Sequence, residues 1–268
     1  MPKTTQIALE AAIEAGRAIL EVYRAERPVQ VTEKADQSPV TEADLAANRI
    51  LNERLATTGY PILSEENTAI PFAQRESWGR CWVVDPLDGT REFLKRNGEF
   101  TVNVALCEGG QAVFGVIYAP VAGVLYYGDA REASAYRTLV PAGGALPDFW
   151  ETQDRLATPD QVAGKVRILV SRSHRSPETL DYLETLAGPE QEVEWVEKGS
   201  ALKFGLLAEG KADLYPRLGP TMEWDTAAGS ALVGALGFEV LALGSGAPLH
   251  YNREDLVNPD FIVKRRDR

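Results

Sequence analysis

The chain has 268 residues, 44% hydrophobic and 25% charged, a balance that supports a large buried core and excludes an intrinsically disordered chain. Asp and Glu number 39 against 28 Lys and Arg, so the net negative field excludes non-specific recruitment of nucleic acid or anionic lipid. No apolar run approaches the ~18 residues of a membrane-crossing helix, and the N-terminus lacks the basic-then-apolar order of a signal peptide, so the expected location is the cytoplasm.

Helical spacing of Ile7, Ala8, Ala11, Ala15, Ile19, Val22 and Tyr23 predicts a first amphipathic helix over residues 5–23. Leu45, Leu51 and Leu55 predict a second over 41–56, with a short extended piece at 29–31 and a loop at 35–39 between them. Apolar runs at 61–63, 82–84, 100–106, 112–118 and 124–127 then read as neighbouring strands of one sheet. The short links Glu108-Gly-Gly110 and Pro120-Val-Ala-Gly123 call for antiparallel hairpins. Residues 138–164 are rich in Pro and Gly and place a boundary between an N-terminal half, 1–150, and a C-terminal half, 151–268. Beyond it strands at 166–170, 193–196, 212–215 and 238–243 alternate with helices at 177–186, 201–209 and 226–236, the pattern of a smaller α/β unit.

With two cysteines, Cys81 and Cys107, and two histidines, His174 and His250, the chain offers no Cys/His zinc cluster. A metal would therefore sit on oxygen, which suits Mg²⁺ or Mn²⁺. Trp82-Val-Val-Asp85-Pro-Leu-Asp88-Gly-Thr90 delivers an aspartate at a strand end and presents a second on a Pro/Gly turn. Such a turn aims two carboxylates and an intervening carbonyl at one point, and the like charges favour a cation between them. A plain turn whose Asp side chains bond backbone amides fits the same residues. Ile62-Leu-Ser-Glu65-Glu66 ends another short apolar run in acids, and Glu223-Trp-Asp225 opens a helix with Asp225 read as its N-cap. Thr41-x-x-Asp44 has the form of a capping box, and Asp44 could instead orient a hydroxyl, for which Thr90 is the obvious partner.

These segments together resemble the lithium-sensitive, metal-dependent phosphatases of the inositol monophosphatase superfamily: a strand-end Glu-Glu, then Asp-Pro-Leu-Asp-Gly-Thr, then Trp-Asp-x-Ala-Ala-Gly, all present in order. Within it, residues 34–44, 89–103, Ser171-Arg-Ser-His174 and Leu214-Tyr-Pro-Arg-Leu-Gly-Pro220 look like 3'(2'),5'-bisphosphate nucleotidases of the CysQ type. The resemblance implies a layered α-β-α-β-α sandwich of α/β (α+β) class, with a large antiparallel sheet in the N-terminal half and a smaller mixed sheet in the C-terminal half. It implies one Mg²⁺ on Glu65, Asp85 and the Leu87 carbonyl, a second shared by Asp85, Asp88 and Asp225, and room for a third near Glu65. The attacking water would be activated by metal and oriented by Thr90, itself held by Asp44. The amides around Gly89 and Thr90 would face the phosphoryl oxygens, while His174, Ser200, Lys203 and Arg217 would line the nucleotide pocket.

The implied substrate is the small nucleotide adenosine 3',5'-bisphosphate, hydrolysed to AMP, with its sulfated relative also accepted. Arg91, Lys95 and Arg96 could focus an anion or form a solvated charged face. The alternatives are an inositol or sugar phosphatase on the same metal site and a non-catalytic nucleotide or anion binder. The oligomeric state stays open between monomer and dimer.

Overall fold

The computed structural model describes residues 2–33, 39–67, 70–141, 145–160, 164–170 and 192–266. Helices α1 (Lys3–Arg24) and α2 (Glu42–Ala56) fall where the periodicity places them. Their apolar stripes, Leu9, Ala12, Ile13 and Ile19 on one and Ala43, Ala47, Leu51 and Leu55 on the other, are fully buried. The start of α2 is fixed by the expected capping box, in which the Thr41 amide donates to Asp44 Oδ2 at 2.7 Å and the Ala43 amide donates to Thr41 Oγ1 at 3.1 Å. A small hairpin, β1 (Val31–Glu33) with β2 (Pro39–Thr41), leads into it. The extended piece therefore begins at Val31, later than expected, and residues 34–38 of the predicted loop lie outside the described residues.

Six strands form the large sheet in chain order: β3 (Ile62–Ser64), β4 (Arg80–Asp88), β5 (Thr101–Glu108), β6 (Gln111–Ala119), β7 (Val124–Asp129) and β8 (Ser134–Leu139). The two hairpin links behave as the sequence requires. In one respect the expected antiparallel sheet is corrected, because β3 pairs with β4 in parallel, Ile62 opposite Trp82 and Ser64 opposite Val84. Residues 65–79, which include the short helix α3 (Phe72–Arg75), are long enough to return the chain to the same end of the sheet. β8 was not anticipated, since its last residues run into the Pro/Gly-rich stretch.

Alternation divides the sheet between two cores. Trp82, Val84, Val102, Val104 and Val116 face α1 and α2. Cys81, Val83, Ala105, Cys107 and Ile117 face the later part of the chain. There, after the short helix α4 (Thr90–Leu94), come β9 (Lys165–Val170) and its parallel partner β10 (Glu192–Glu197), helix α5 (Leu202–Ala208), β11 (Tyr215–Arg217), helix α6 (Glu223–Gly234), β12 (Phe238–Ala242) and β13 (Phe261–Arg265). The last strand lies between β11 and β12, antiparallel to both, and a parallel bridge from Ile168 to Leu214 joins β9 to this group. The strand expected at 212–215 is thus displaced to 215–217, and β13 was not foreseen. The layers run helices, large sheet, helices, then two smaller sheets, one parallel and one antiparallel; the expected helix 177–186 lies outside the described residues. No described helix is long and apolar enough to cross a membrane.

Helix α6 approaches the large sheet at backbone distance. A β-carbon on Gly115 of β6 would stand 2.1 Å from the Ala228 carbonyl oxygen and 3.0 Å from its Cα. Both obstacles are main chain, so no side-chain rotation relieves the clash. Gly115→Ala is expected to lower stability by about 2 kcal/mol, read as a shifted urea midpoint; a loss below about 0.5 kcal/mol would show that α6 lifts from the sheet freely.

Candidate metal centre and phosphate pocket

The centre begins where β4 loses its regular pairing. Asp85 opposes Asn103 and Asp88 opposes Thr101, so two residues of β4, Pro86 and Leu87, stand against the single Val102 of β5. Pro86 has no amide for the ladder, and the irregularity turns both aspartates toward the same side. The Leu87 amide folds back onto Asp85 Oδ1 at 3.0 Å while its side chain is buried. Gly89 follows at φ +95°, and a β-carbon there would come within 3.1 Å of the Glu99 carbonyl oxygen. Glycine therefore satisfies both the left-handed turn and the close approach.

Asp225 reaches the same point from α6. It is not the N-cap expected from the sequence: Met222 holds that position, and Asp225, in the first turn, accepts the Met222 amide at 2.8 Å on Oδ2. The helix start is anchored by Glu223, fully buried, which accepts the amides of Asn252 at 2.5 Å and Arg253 at 3.0 Å. Asn258 Nδ2 adds bonds to the Met222 carbonyl at 2.7 Å and Thr226 Oγ1 at 3.0 Å. Arg75 ties this loop to the segment after β3 through the carbonyls of Arg253 and Glu254.

Ligand atoms of Asp85, Asp88 and Asp225 lie within 4.8 Å of one another. Burial, then the charges of Glu65, Asp88, Asp225 and Asp44, pushes the Asp85 carboxyl well above the ordinary carboxylate range. Burial and the Asp88 charge push Asp225 up to about 8. Glu65, half-buried at the start of a 3₁₀ turn directly after β3, is close enough for its charge to raise both. Among the described residues this acid group contains no Cys or His, so the donor set is hard oxygen and fits a divalent cation of the Mg²⁺ or Mn²⁺ kind.

Thr90 opens α4 with its hydroxyl 3.2 Å from Asp44 Oδ1 and 3.4 Å from the Leu87 carbonyl. The anticipated Asp44–Thr90 pairing is present, and Asp44 serves the α2 cap through its other oxygen. Burial raises the Asp44 carboxyl, while the Thr41 hydrogen bonds oppose the rise.

A pocket adjoins the acids, with Asp88, Gly89, Ser200, Lys203, Arg217 and Asp225 among its lining residues. Ser200, expected to line the pocket, does so without capping the following helix, whose N-cap is Ala201. With φ +55°, Ser200 instead points its hydroxyl at Asp88 Oδ2, 2.7 Å away, which also accepts the Ala201 amide at 2.6 Å. Lys203 donates to the Ser200 carbonyl at 2.6 Å and lies over the Tyr215 ring; burial pulls its ammonium down to about 8, against the opposing pull of Asp88 and Asp225. Arg217 leaves β11 beside them. Arg91 reaches the pocket, whereas Arg96 is engaged with the Tyr23 carbonyl and ring. His174 lies outside the described residues.

Several site residues escaped the sequence reading. Thr101 and Asn103 both contact Asp88 Oδ2, at 3.4 and 3.3 Å. Two polar residues two apart in an apolar strand were the available signal, because they share a face. Glu99 accepts Lys198 Nζ at 3.1 Å and the Gly199 amide at 3.0 Å, latching the Ser200 segment to the metal loop. Tyr215, inside the 214–220 segment but given no role of its own, and Thr221, just beyond that segment, also line the pocket.

A sequence model of the inositol monophosphatase family matches residues 1–266. The chain is 45% identical over 252 residues to the 3'(2'),5'-bisphosphate nucleotidase CysQ of Escherichia coli K12, covering 93% of this chain and 94% of that one. It is 43% identical over 258 residues to the Shigella flexneri protein of the same name, with coverage of 93% and 94%. Among solved structures, CysQ from Bacteroides thetaiotaomicron superposes with a TM-score of 0.86 at 41% identity, covering 98% of this chain and 97% of that one. With its family signature, its layered fold and these relatives in agreement, the chain belongs to the metal-dependent inositol monophosphatase family.

Proposed function

We propose that this chain is a 3'(2'),5'-bisphosphate nucleotidase that removes the 3'-phosphate of adenosine 3',5'-bisphosphate to give AMP, and accepts the sulfated relative. The observation that carries the reading is one shared pocket: Asp88 and Asp225 of the acid group form a wall with Lys203 and Arg217. That arrangement sets a cation site for the scissile phosphate beside two basic groups for a second one. The names of the relatives at 43% and 45% identity support the substrate class. The cation is Mg²⁺, in two or three sites, with Mn²⁺ able to replace it. We place the protein in the cytoplasm, where its two free buried cysteines would stay reduced.

Glu65, Asp85 and the Leu87 carbonyl would hold one ion, and Asp85, Asp88 and Asp225 a second, the N-terminal half supplying all but Asp225. Bound divalent cations supply charge neutralisation at the phosphoryl oxygens and an acidified water. The chain's own part is orientation. Because Asp44 accepts the Thr90 proton, the Thr90 oxygen keeps lone pairs with which to receive a hydrogen bond from the attacking water. The amides of Gly89 and Thr90 add donors for the phosphoryl oxygens. Lys203 and Arg217 fix the second phosphate, so both phosphates of the substrate lie in this one pocket.

Asp88→Asn keeps the volume and the acceptor used by Ser200 and Ala201 but removes a charge. Mg²⁺-dependent phosphate release is expected to fall by roughly a thousandfold with an unchanged circular-dichroism spectrum; a near-normal rate would put the metal elsewhere. For the substrate, a panel of adenosine 3',5'-bisphosphate, its sulfated form, inositol 1-phosphate and fructose 1,6-bisphosphate is assayed with Lys203→Met/Arg217→Ala. KM for the bisphosphonucleotide is expected to rise by about tenfold or more while inositol 1-phosphate is little affected. A KM for the bisphosphonucleotide that barely changes would favour a small-polyol phosphatase.

The raised carboxyls also fix a pH dependence. In metal-free protein Asp85 and Asp225 keep protons that the unfolded chain has released, so their stabilising contribution is complete below the ordinary carboxylate range and fades as pH rises toward about 8. Metal-free protein should therefore melt lower near pH 8 than near pH 5, and saturating Mg²⁺ should remove most of the difference. Scanning calorimetry with and without chelator checks this; a metal-free melting temperature that climbs over that range would contradict it.

A further inference from the structure

A second cavity, sharing no residue with the phosphate pocket, lies between the C-terminal half of α1 and the β6–β7 turn. Arg17, Glu21 and Arg24 line it from the helix, Tyr118 forms part of its wall, and Leu20 with Pro120 and Val121 give it an apolar side. Tyr118 is 3% exposed. Its ring is seated against Gly16, where a β-carbon would come within 2.4 Å of Cε1. Among the described residues its hydroxyl has no hydrogen-bond partner, although both guanidinium groups, Arg17 and Arg24, act on it electrostatically.

The donors in this cavity are underused. Arg17 gives one hydrogen bond, to the Ala145 carbonyl at 3.2 Å. Neither Arg24 nor Glu21 forms a hydrogen bond or ion pair among the described residues. The Tyr118 hydroxyl donates to no described residue and is not among the fully buried unpartnered atoms, so it is open to an acceptor in the cavity. Two arginines against one glutamate leave a single net positive charge, so the fitting ligand carries one negative charge. In a chain of net charge −11 that positive spot stands against the surrounding field. The apolar side asks for a hydrocarbon body on the same molecule.

We propose that this cavity binds a small organic monoanion, its carboxylate or sulfonate oxygens between Arg17, Arg24 and the Tyr118 hydroxyl and its apolar body on Leu20, Pro120 and Val121. Full-length protein, with metal chelated, is titrated calorimetrically with benzoate and benzenesulfonate, and with benzyl alcohol as the uncharged control. Both anions should bind saturably and the alcohol should not. Arg24→Ala and Tyr118→Phe should each weaken binding by about tenfold, Lys203→Ala should leave it intact, and Arg24→Ala should turn over substrate as the parent does. Arg24 is exposed, so that variant decides the question even if Tyr118→Phe folds poorly. The proposal is overturned if neither anion saturates, if benzyl alcohol binds as well, or if affinity is lost in Lys203→Ala but kept in Arg24→Ala.

Discussion

Repulsion among Asp85, Asp88 and Asp225 opposes the folded state, and the architecture around them holds three carboxylates within 4.8 Å all the same. It does so from two directions. The broken ladder of β4 fixes the first two, and α6, pressed on the sheet at Gly115, brings the third. Neither support is local to the acids. Glu223, Asn258 and Arg75 fasten the helix start to a loop more than twenty residues downstream and to the segment after β3. A cation converts this unfavourable proximity into affinity, since the charges that oppose folding are those that attract it.

The same logic explains the seam between the metal loop and the later chain. Asp88 Oδ2 accepts Ser200 Oγ and the Ala201 amide, and Glu99 accepts Lys198 and the Gly199 amide. Asp88 at the end of β4 and Glu99 just before β5 are thus met by donors from the segment preceding α5. That contact brings Lys203 to the pocket, because its ammonium is held on the Ser200 carbonyl. Asp88 therefore belongs both to the acid group and to the pocket lined by Lys203.

How much could be read from residues alone follows from how local each feature is. The loop from Asp85 to Thr90 was legible because strand, proline, glycine and acids are contiguous, and the Thr41–Asp44 cap was legible for the same reason. The Asp225 cap was misjudged by three residues: a side chain that bonds the Met222 amide serves equally well from the helix's first turn. The bond from Ser200 to Asp88 was not legible because it joins residues over a hundred positions apart. β13 was missed since its short run, Phe261-Ile-Val, acquires meaning only from the strands on either side. The parallel β3–β4 pair depends on a connection whose path no spacing rule fixes.

The position of β13 bears on how the protein is made. It is the last described strand and the central one of its sheet, with β11 and β12 each bonded to it and not to each other. As a chain leaves the ribosome, the six-stranded sheet has all its members long before residue 261 appears, whereas β11 and β12 must wait for the strand that joins them. Helix α6 packs on both sides of that wait, against the early sheet and against the late one. The helix that carries Asp225 thus bridges a sheet completed early and one completed only when β13 has been made, so the acid group reaches its full support after the strands that supply most of its members.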